Sequence, residues 1–328
     1  MIRKFFAALG CAVLGAAVML LALPLLPGQL LPHGRAETLA ATEAETAPAE
    51  PEPFDEAVTL RVLVDGAVRE QTLHDYLVCV LLAEVPSGFA AEALKAQACA
   101  ARTFALRQAG AGKHAEADVC ASAACCQGWY APEQWPEHAA AEAAVTETDG
   151  LAVVYDGQLI DATYFSCSGG RTEAAVAVWG GEIPYLQSVP SPGEEDAPRE
   201  TETLTFTAEE FRDRITPARP DADLSGTPET WFGAVRYTAG GGIGTLELGG
   251  ASFTGTELRR LLGLRSTDIE FSPQEDGVTV TTHGFGHRVG LSQYGAEAMA
   301  QAGRRFDEIL LHYYQGTEIR RLTLDGEK

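Results

Sequence analysis

Residues 90–108 read AAEALKAQACAARTFALRQ, and no other stretch constrains the fold as strongly. Alanine is the best helix former and adds no bulk beyond Cβ, so this segment specifies a helix that neighbours can approach closely. Leu94, Ala98, Ala101 and Ala105 recur at helical spacing on one face, while Lys95 and Arg102 lie seven apart and share another. A second helix is expected just before it, from about Tyr76 to Glu84. Thr72 and Asp75, three apart, resemble a capping box at its start, and Pro86 stops it. The two helices are joined by Pro86-Ser87-Gly88, so Glu84 stands at a helix end against Leu81, Leu82 and Val85.

The chain has 328 residues, enough for one or two domains around a sizeable core. Its net charge of −22 excludes a basic groove for nucleic acid. The acid is concentrated in the runs 37–56 and 194–202, which read as solvated surface. Phe5 to Leu26 carries no charge over 22 residues, enough to cross a bilayer of roughly 30 Å. Arg3 and Lys4 precede it, and no clean small-residue cleavage site follows, so a signal anchor fits better than a cleaved signal peptide. Cys11 reads as a residue of that span. Residues 27–56, rich in Pro, Ala, Glu and Thr, read as a flexible acidic linker. The expected layout is a membrane-anchored chain with its body, residues 57–322, on the extracytoplasmic side, and a short tail, 323–328.

Within the body, Val58–Val64 alternates and meets Asp65-Gly66, and Leu151–Tyr155 and Leu159–Phe165 flank Asp156-Gly157; both are hairpin signals. Residues 190–232 are polar and proline-containing and read as a peripheral insertion. Short strands are expected over 234–253, a helix over Thr256–Leu262, a strand over Gly277–Thr282 and a helix over Gln293–Gln301. Strands and helices interleave without a βαβ rhythm, so the expected class is α+β.

Four constellations could carry chemistry. Glu84, desolvated by its apolar neighbours, would have a raised pKa suited to a general acid; a solvated glutamate at a helix end is the plain alternative. Gly284 to Gly295 holds four glycines, which allow close backbone approach to a ligand, together with His287, Ser292, Gln293 and Tyr294, whose donors and acceptors suit hydroxyl-rich ligands. The spacing is not that of a phosphate loop. Ser166-Cys167-Ser168-Gly169-Gly170 is a tight hydroxyl-bearing loop. His114, Cys120, Cys125 and Cys126 form either a soft-ligand metal site, most naturally for zinc, or a disulfide between Cys120 and one of the later thiols. Cys79 and Cys99 read as packed small hydrophobes.

These segments together resemble the stage II sporulation protein D family. The resemblance rests on LHDYLVCVLLAEVPSGFAAEALKAQACAARTFAL (73–106), YFSCSGGRTE (164–173), VWGGEIPYLQSV (178–189), TGTELRRLLGLRS (254–266), GFGHRVGLSQYGAEAMAQAG (284–303) and FDEILLHYYQGTEI (306–319), in that order across nearly the whole body. It implies a membrane-anchored lytic transglycosylase acting on peptidoglycan glycan strands stripped of stem peptides, in cell-wall remodelling during sporulation engulfment. Glu84 takes the catalytic role. Lys95, Gln97 and Arg102, with Ser166, Ser168, His287, Ser292, Gln293 and Tyr294, are expected to line the sugar groove. Clostridial members are similar in carrying His-x5-Cys-x4-His-Cys here, which implies a structural zinc on His114, Cys120, Cys125 and Cys126, with Cys125 where that motif has its second histidine. Cys167 departs from the expected hydroxyl residue. Asp161 and Glu173 border the Ser-rich loop and are candidates for a second acid. The partners implied are the glycan strand, an engulfment amidase or endopeptidase, and a membrane scaffold. The alternatives are a non-catalytic glycan-binding activator of an amidase and a metal-dependent hydrolase.

Overall fold

The computed structural model describes residues 53–131, 138–195 and 197–324. The expected anchor over Phe5–Leu26 and most of the linker lie outside them. Among the described residues no helix is long and apolar enough to cross a membrane.

A short helix α1 (Phe54–Ala57) leads into the hairpin β1 (Thr59–Val64) and β2 (Ala67–Thr72). Asp65 and Gly66 both sit at positive φ, 50° and 82°, the backbone that a two-residue hairpin turn of this hand requires. Helix α2 (Leu73–Glu84) starts on Thr72, whose side chain accepts the Asp75 N–H at 3.1 Å. Helix α3 (Ala91–Ala111) follows, then β3 (Val119–Cys120), which pairs parallel with β1. Next come α4 (Ala139–Glu147), β4 (Leu151–Tyr155), β5 (Gln158–Leu159), β6 (Tyr164–Phe165) and α5 (Ala175–Trp179). The apolar run after Asp156-Gly157 is therefore two strands, not one. Ile160 stays on the β4 ladder, but a tight Thr163 N–H to Asp161 carbonyl bond breaks the strand. Tyr164–Phe165 then pairs elsewhere, parallel to a later strand at Leu291–Ser292.

Helix α3 is buried on nearly every side and divides two core clusters. Leu94, Ala98, Ala101 and Ala105, the predicted small-residue face, pack with α2, α4 and β1. Ala93, Ala96, Cys99 and Ala100 face the other way and form a second cluster with Val153, Leu291, Ile309 and Tyr313. Alanine on both faces is what allows one helix to serve two cores.

A third cluster belongs to residues 201–282. Strand β7 (Thr201–Thr207) runs into α6 (Ala208–Ile215), followed by β8 (Phe232–Tyr237), β9 (Ile243–Leu248), β10 (Ala251–Thr254), α7 (Gly255–Leu262), β11 (Asp268–Gln274) and β12 (Gly277–His283). The sheets have the orders β10-β9-β8 and β11-β12-β7, and Phe211, Trp231, Phe253 and Leu258 lie in the core they enclose with the two helices. Residues 190–232 are thus not simply a peripheral insertion, because β7 pairs along its length with β12. Its sequence TETLTFT hides the strand. Threonine favours strands and forms cross-strand pairs, Thr203 with Thr281 at 3.1 Å and Thr205 with Thr279 at 3.3 Å, yet it adds little hydropathy.

The chain closes with β13 (Leu291–Ser292), α8 (Gln293–Gln301), α9 (Phe306–Tyr313) and β14 (Glu318–Arg321). Strand β14 returns to pair with β4, and α8 and α9 pack on α3.

Arg102 is the main correction to the sequence expectation. It does not share an exposed face with Lys95; it is fully buried. Its Nε donates to Asp55 Oδ1 at 2.8 Å, its Nη2 to Oδ2 at 2.5 Å and its Nη1 to the Leu151 carbonyl at 3.0 Å. Asp55 is 1% exposed and lies in the stretch whose composition read as linker. The folded body therefore includes α1, and a single buried acid within an acidic run is invisible to composition. Removing one partner strands the other charge in the core. Asp55→Ala is expected to cost about 3–5 kcal/mol in chemical denaturation; a loss below about 1 kcal/mol, the scale of an exposed pair, would contradict the buried pairing.

Candidate functional site

Glu84 is the last residue of α2, and the chain turns extended at Val85 before Pro86. Its side chain is half-buried. Oε1 accepts the Gly128 N–H at 2.5 Å, and Gln293 Nε2 lies 3.5 Å from Oε2. Burial raises the Glu84 pKa above the usual carboxylate value, and the two hydrogen bonds pull it part of the way back. A Cβ on residue 128 would lie 3.0 Å from Oε1 and 3.3 Å from the Ala83 Cβ, so glycine there lets the carboxylate seat against the backbone.

The segment carrying Gly128 is fixed from two sides. Gln127 is buried; its Oε1 accepts from the Tyr76 hydroxyl at 3.0 Å and its Nε2 donates to the Tyr164 hydroxyl at 2.8 Å. On the other side stands the thiol cluster. The ligand atoms of His114, Cys120, Cys125 and Cys126 all lie within 4.8 Å of one another, and His114 Nε2 is 3.2 Å from Cys126 Sγ. None of the three thiols is in a disulfide. Three soft sulfurs and one imidazole converging at this spacing are a donor set that could hold a metal ion. Burial and the neighbouring thiols push the Cys120 thiol up to about 12, a repulsion that a central cation would relieve.

Glu84 opens onto a cavity of about 870 Å³ lined also by Cys125, Cys126, Asp161, Tyr164, Ser166, Trp179, Arg199, Arg259, His287 and Gln293. A second depression of about 470 Å³ shares Glu84, Ser166, Arg199 and Gln293 and adds Tyr130, Pro198 and Tyr294. The acid stands where the two meet.

The glycine-rich segment delivers Gln293 there. Ser292 caps α8, its Oγ accepting from Gly295 N–H at 3.3 Å. Tyr294 N–H donates to the Ser166 carbonyl at 3.0 Å, and its ring meets Phe89 edge-on with centroids 5.2 Å apart.

Of the residues expected to face sugar, Glu84, Ser166, His287, Gln293 and Tyr294 do line the two depressions. Five others do not. Arg102 is the buried partner of Asp55. Lys95 is paired with Glu92 at 3.0 Å and Glu147 at 2.6 Å. Gln97 is buried in α3 with its amide unpartnered. Ser168 and Ser292 are buried and both donate to Glu194, at 2.7 and 2.5 Å. Lys95, Gln97 and Arg102 share one motif, but a helix buried on nearly every side cannot turn all three toward one groove, and the two serines are taken up by Glu194. Glu194, which sequence reasoning took for part of a solvated run, also receives Ser191 Oγ at 2.5 Å and ties the Ser-rich loop to the start of α8.

His287 is half-buried between Phe165 and Trp179, with centroids at 5.6 and 5.4 Å. Burial first, then Arg259, bring its pKa down to about 4, so the ring is neutral at physiological pH. Its Nδ1 accepts the Val289 N–H at 3.1 Å. Of the two candidate second acids, Asp161 lines the cavity and is raised by burial. Glu173 is buried away from the cavity, accepting from Thr238 at 2.6 Å and Gly242 N–H at 3.1 Å. Sequence reasoning also missed Trp179, Arg199, Arg259 and Gly128. The Trp179-Gly180-Gly181 and Gln127-Gly128-Trp129 triplets were the available signals for two of them; Arg259 lies in the quoted segment 254–266, and Arg199 had none.

Comparison with known proteins places the chain among relatives by sequence. The family model for stage II sporulation protein matches residues 65–155. The chain is 38% identical over 266 residues to stage II sporulation protein D of Bacillus subtilis (strain 168), covering 77% of this chain and 76% of that protein. To the protein of the same name in Bacillus amyloliquefaciens it is 35% identical over 294 residues, 85% and 84% of the two chains. It is 28% identical over 287 residues to the amidase enhancer of Bacillus subtilis (strain 168), covering 72% of this chain and 39% of that protein.

The Gly128 contact is testable by itself. Gly128→Ala pushes the carboxylate off the N–H that favours its charged form, so the Glu84 pKa is expected to rise further. A carbon-13 NMR titration of the carboxyl group reads this directly. An unchanged or lower value would mean that Gly128 does not govern the acid.

Proposed function

The chain belongs to the stage II sporulation protein D family, and from that premise we propose that it is a peptidoglycan lytic transglycosylase with Glu84 as its acid. The observation that carries this reading is a desolvated carboxyl group, raised in pKa and hydrogen-bonded by Gly128 and Gln293, that lines both depressions. An acid shared by two depressions suits a polymer cut internally. Trp179, 46% exposed beside His287, offers the apolar face on which a pyranose ring can rest.

In this mechanism the protonated Glu84 gives its proton to the glycosidic oxygen between the N-acetylmuramyl and N-acetylglucosaminyl sugars. Positive charge develops at the anomeric carbon, and the carboxylate that Glu84 has become stabilises it, itself held by the Gly128 and Gln293 donors. Glu84, now a carboxylate held by the Gly128 N–H, takes the proton of the sugar's own 6-hydroxyl as that oxygen attacks the anomeric carbon. The product ends in a 1,6-anhydro ring. The nucleophile is part of the substrate, so no second carboxylate is needed to activate water. Asp161 is the acid placed to assist.

His114, Cys120, Cys125 and Cys126 would hold a zinc ion. Four protein ligands leave no open position, so the metal's contribution is to cross-link the 113–128 segment that presents Gly128. The same reading tethers the body outside the membrane through residues 5–26 and pairs it with an amidase or endopeptidase that strips stem peptides, and with a membrane scaffold. The likeness to the amidase enhancer favours one second reading, a glycan-binding activator that cuts nothing.

Glu84→Gln separates the two. It is expected to lower cleavage of denuded glycan by about a hundredfold or more with the fold intact, whereas a binding module would tolerate it. Wild-type activity should fall as pH rises through the elevated Glu84 pKa, because the first step needs the protonated form. Chelation is expected to release titratable thiols and lower the melting temperature by about 5 °C or more. An unchanged melting temperature with no thiol release would remove the structural role of the cluster.

A further inference from the structure

The cleft is electrostatically unlike the rest of the molecule. The chain carries a net charge of −22, yet three cations, Lys113, Arg199 and Arg259, line the main cavity. Several arginines elsewhere take acidic partners, as in Arg61 with Asp118, Arg219 with Asp221, Arg265 with Glu202 and Arg288 with Asp268, and others donate to carbonyls, as Arg107, Arg212 and Arg214 do. Among the described residues, neither the Arg199 nor the Arg259 guanidinium has a hydrogen-bond or ion-pair partner.

Arg259 is the more telling. It is half-buried on α7, and loss of solvent lowers its pKa with no acid to offset this. A guanidinium held out of water without a counter-ion is poised for an anion. Its ring neighbour His287 is neutral and cannot supply that charge. Arg199 is exposed and stands at φ 71°, a left-handed backbone that residues other than glycine seldom adopt. It borders both depressions, as Glu84 does, while Arg259 borders only the larger. The two cations therefore line one cavity with the acid, and Arg199 shares the second depression with it as well.

We propose that Arg199 and Arg259 are specificity-determining residues that bind the free lactyl carboxylates of the glycan strand and so distinguish denuded strands from peptide-bearing ones. This rests on the reading of the cleft as a glycan-cutting site. Every second sugar of such a strand carries a lactyl ether. Where the stem peptide is attached, that group is a neutral amide; where it has been removed, it is a carboxylate. A planar guanidinium pairs with a carboxylate through two parallel hydrogen bonds, and an amide cannot accept both. The enzyme that supplies this substrate must then be an amidase that leaves the lactyl acid free.

The test compares denuded glycan strands with the same strands after conversion of the lactyl carboxylates to methyl esters, using the full-length protein. Wild type is expected to cleave the acid form with about tenfold or greater kcat/KM than the ester. Raised salt should narrow that ratio. Arg259→Gln and Arg199→Gln are each expected to shrink it, and the double variant to bring it close to one, with Arg259→Lys retaining part of it and melting temperatures unchanged. Equal wild-type rates on the two substrates, or a double variant that keeps the wild-type ratio, would overturn the proposal. If wild type cuts neither substrate, the cleavage reading fails by itself. Calorimetric affinities of the acid and ester strands then decide the arginine assignment by the same ratio.

Discussion

Close packing around the alanine-lined helix α3 is the constraint on which the rest depends. Leu94, Ala98, Ala101 and Ala105 bring α2 against one face, and Ala93, Ala96, Cys99 and Ala100 bring the Leu291 and Tyr313 segments against the other. The end of α2 and the start of α8 are thereby held near one another, which is why Glu84 and Gln293 meet although they are 209 positions apart. A larger side chain at any of these alanines would separate the two cores. The buried Arg102–Asp55 pair reinforces the arrangement by tying α3 to the first turn of the body and to the strand at Leu151.

The chemistry of Glu84 then follows from what surrounds it. Leu81, Leu82 and Val85 are buried beside it and deny its charged form water, while Gly128 supplies one well-placed backbone donor. That donor is itself placed by Gln127, wedged between the Tyr76 and Tyr164 hydroxyls, and by the His114–Cys126 cluster a few residues before it. Helix, loop and cluster form one mechanical unit. A carboxyl group so held is neither fully solvated nor trapped in an ion pair, and it can give and take a proton within the same site.

Much of this was legible in sequence, for identifiable reasons. Local signals are self-contained: Thr72 with Asp75, the two Asp-Gly turns and the apolar spacing in 90–108 each specify their element without help from distant residues. Glu84, Ser166, Gln293 and Tyr294 were found because they sit in distinctive segments. Long-range partners were not legible. Asp55 and Glu194 lie within acidic runs, and only the fold shows that they are buried and bonded to Arg102 and to three serines. Lys95, Gln97 and Arg102 share a motif with one another but not a surface, since a helix buried on nearly every side turns its residues toward different neighbours. The threonine-rich strand at 201–207 gave too little hydropathy to register against its polar surroundings.

The central claim is that the substrate's own 6-hydroxyl, and not water, attacks the anomeric carbon after Glu84 donates its proton. Cleavage of denuded glycan in oxygen-18-labelled water tests it directly. The account predicts new muramyl ends that carry no label and have the mass of the 1,6-anhydro sugar. Reducing ends carrying one labelled oxygen would contradict it and identify a hydrolase.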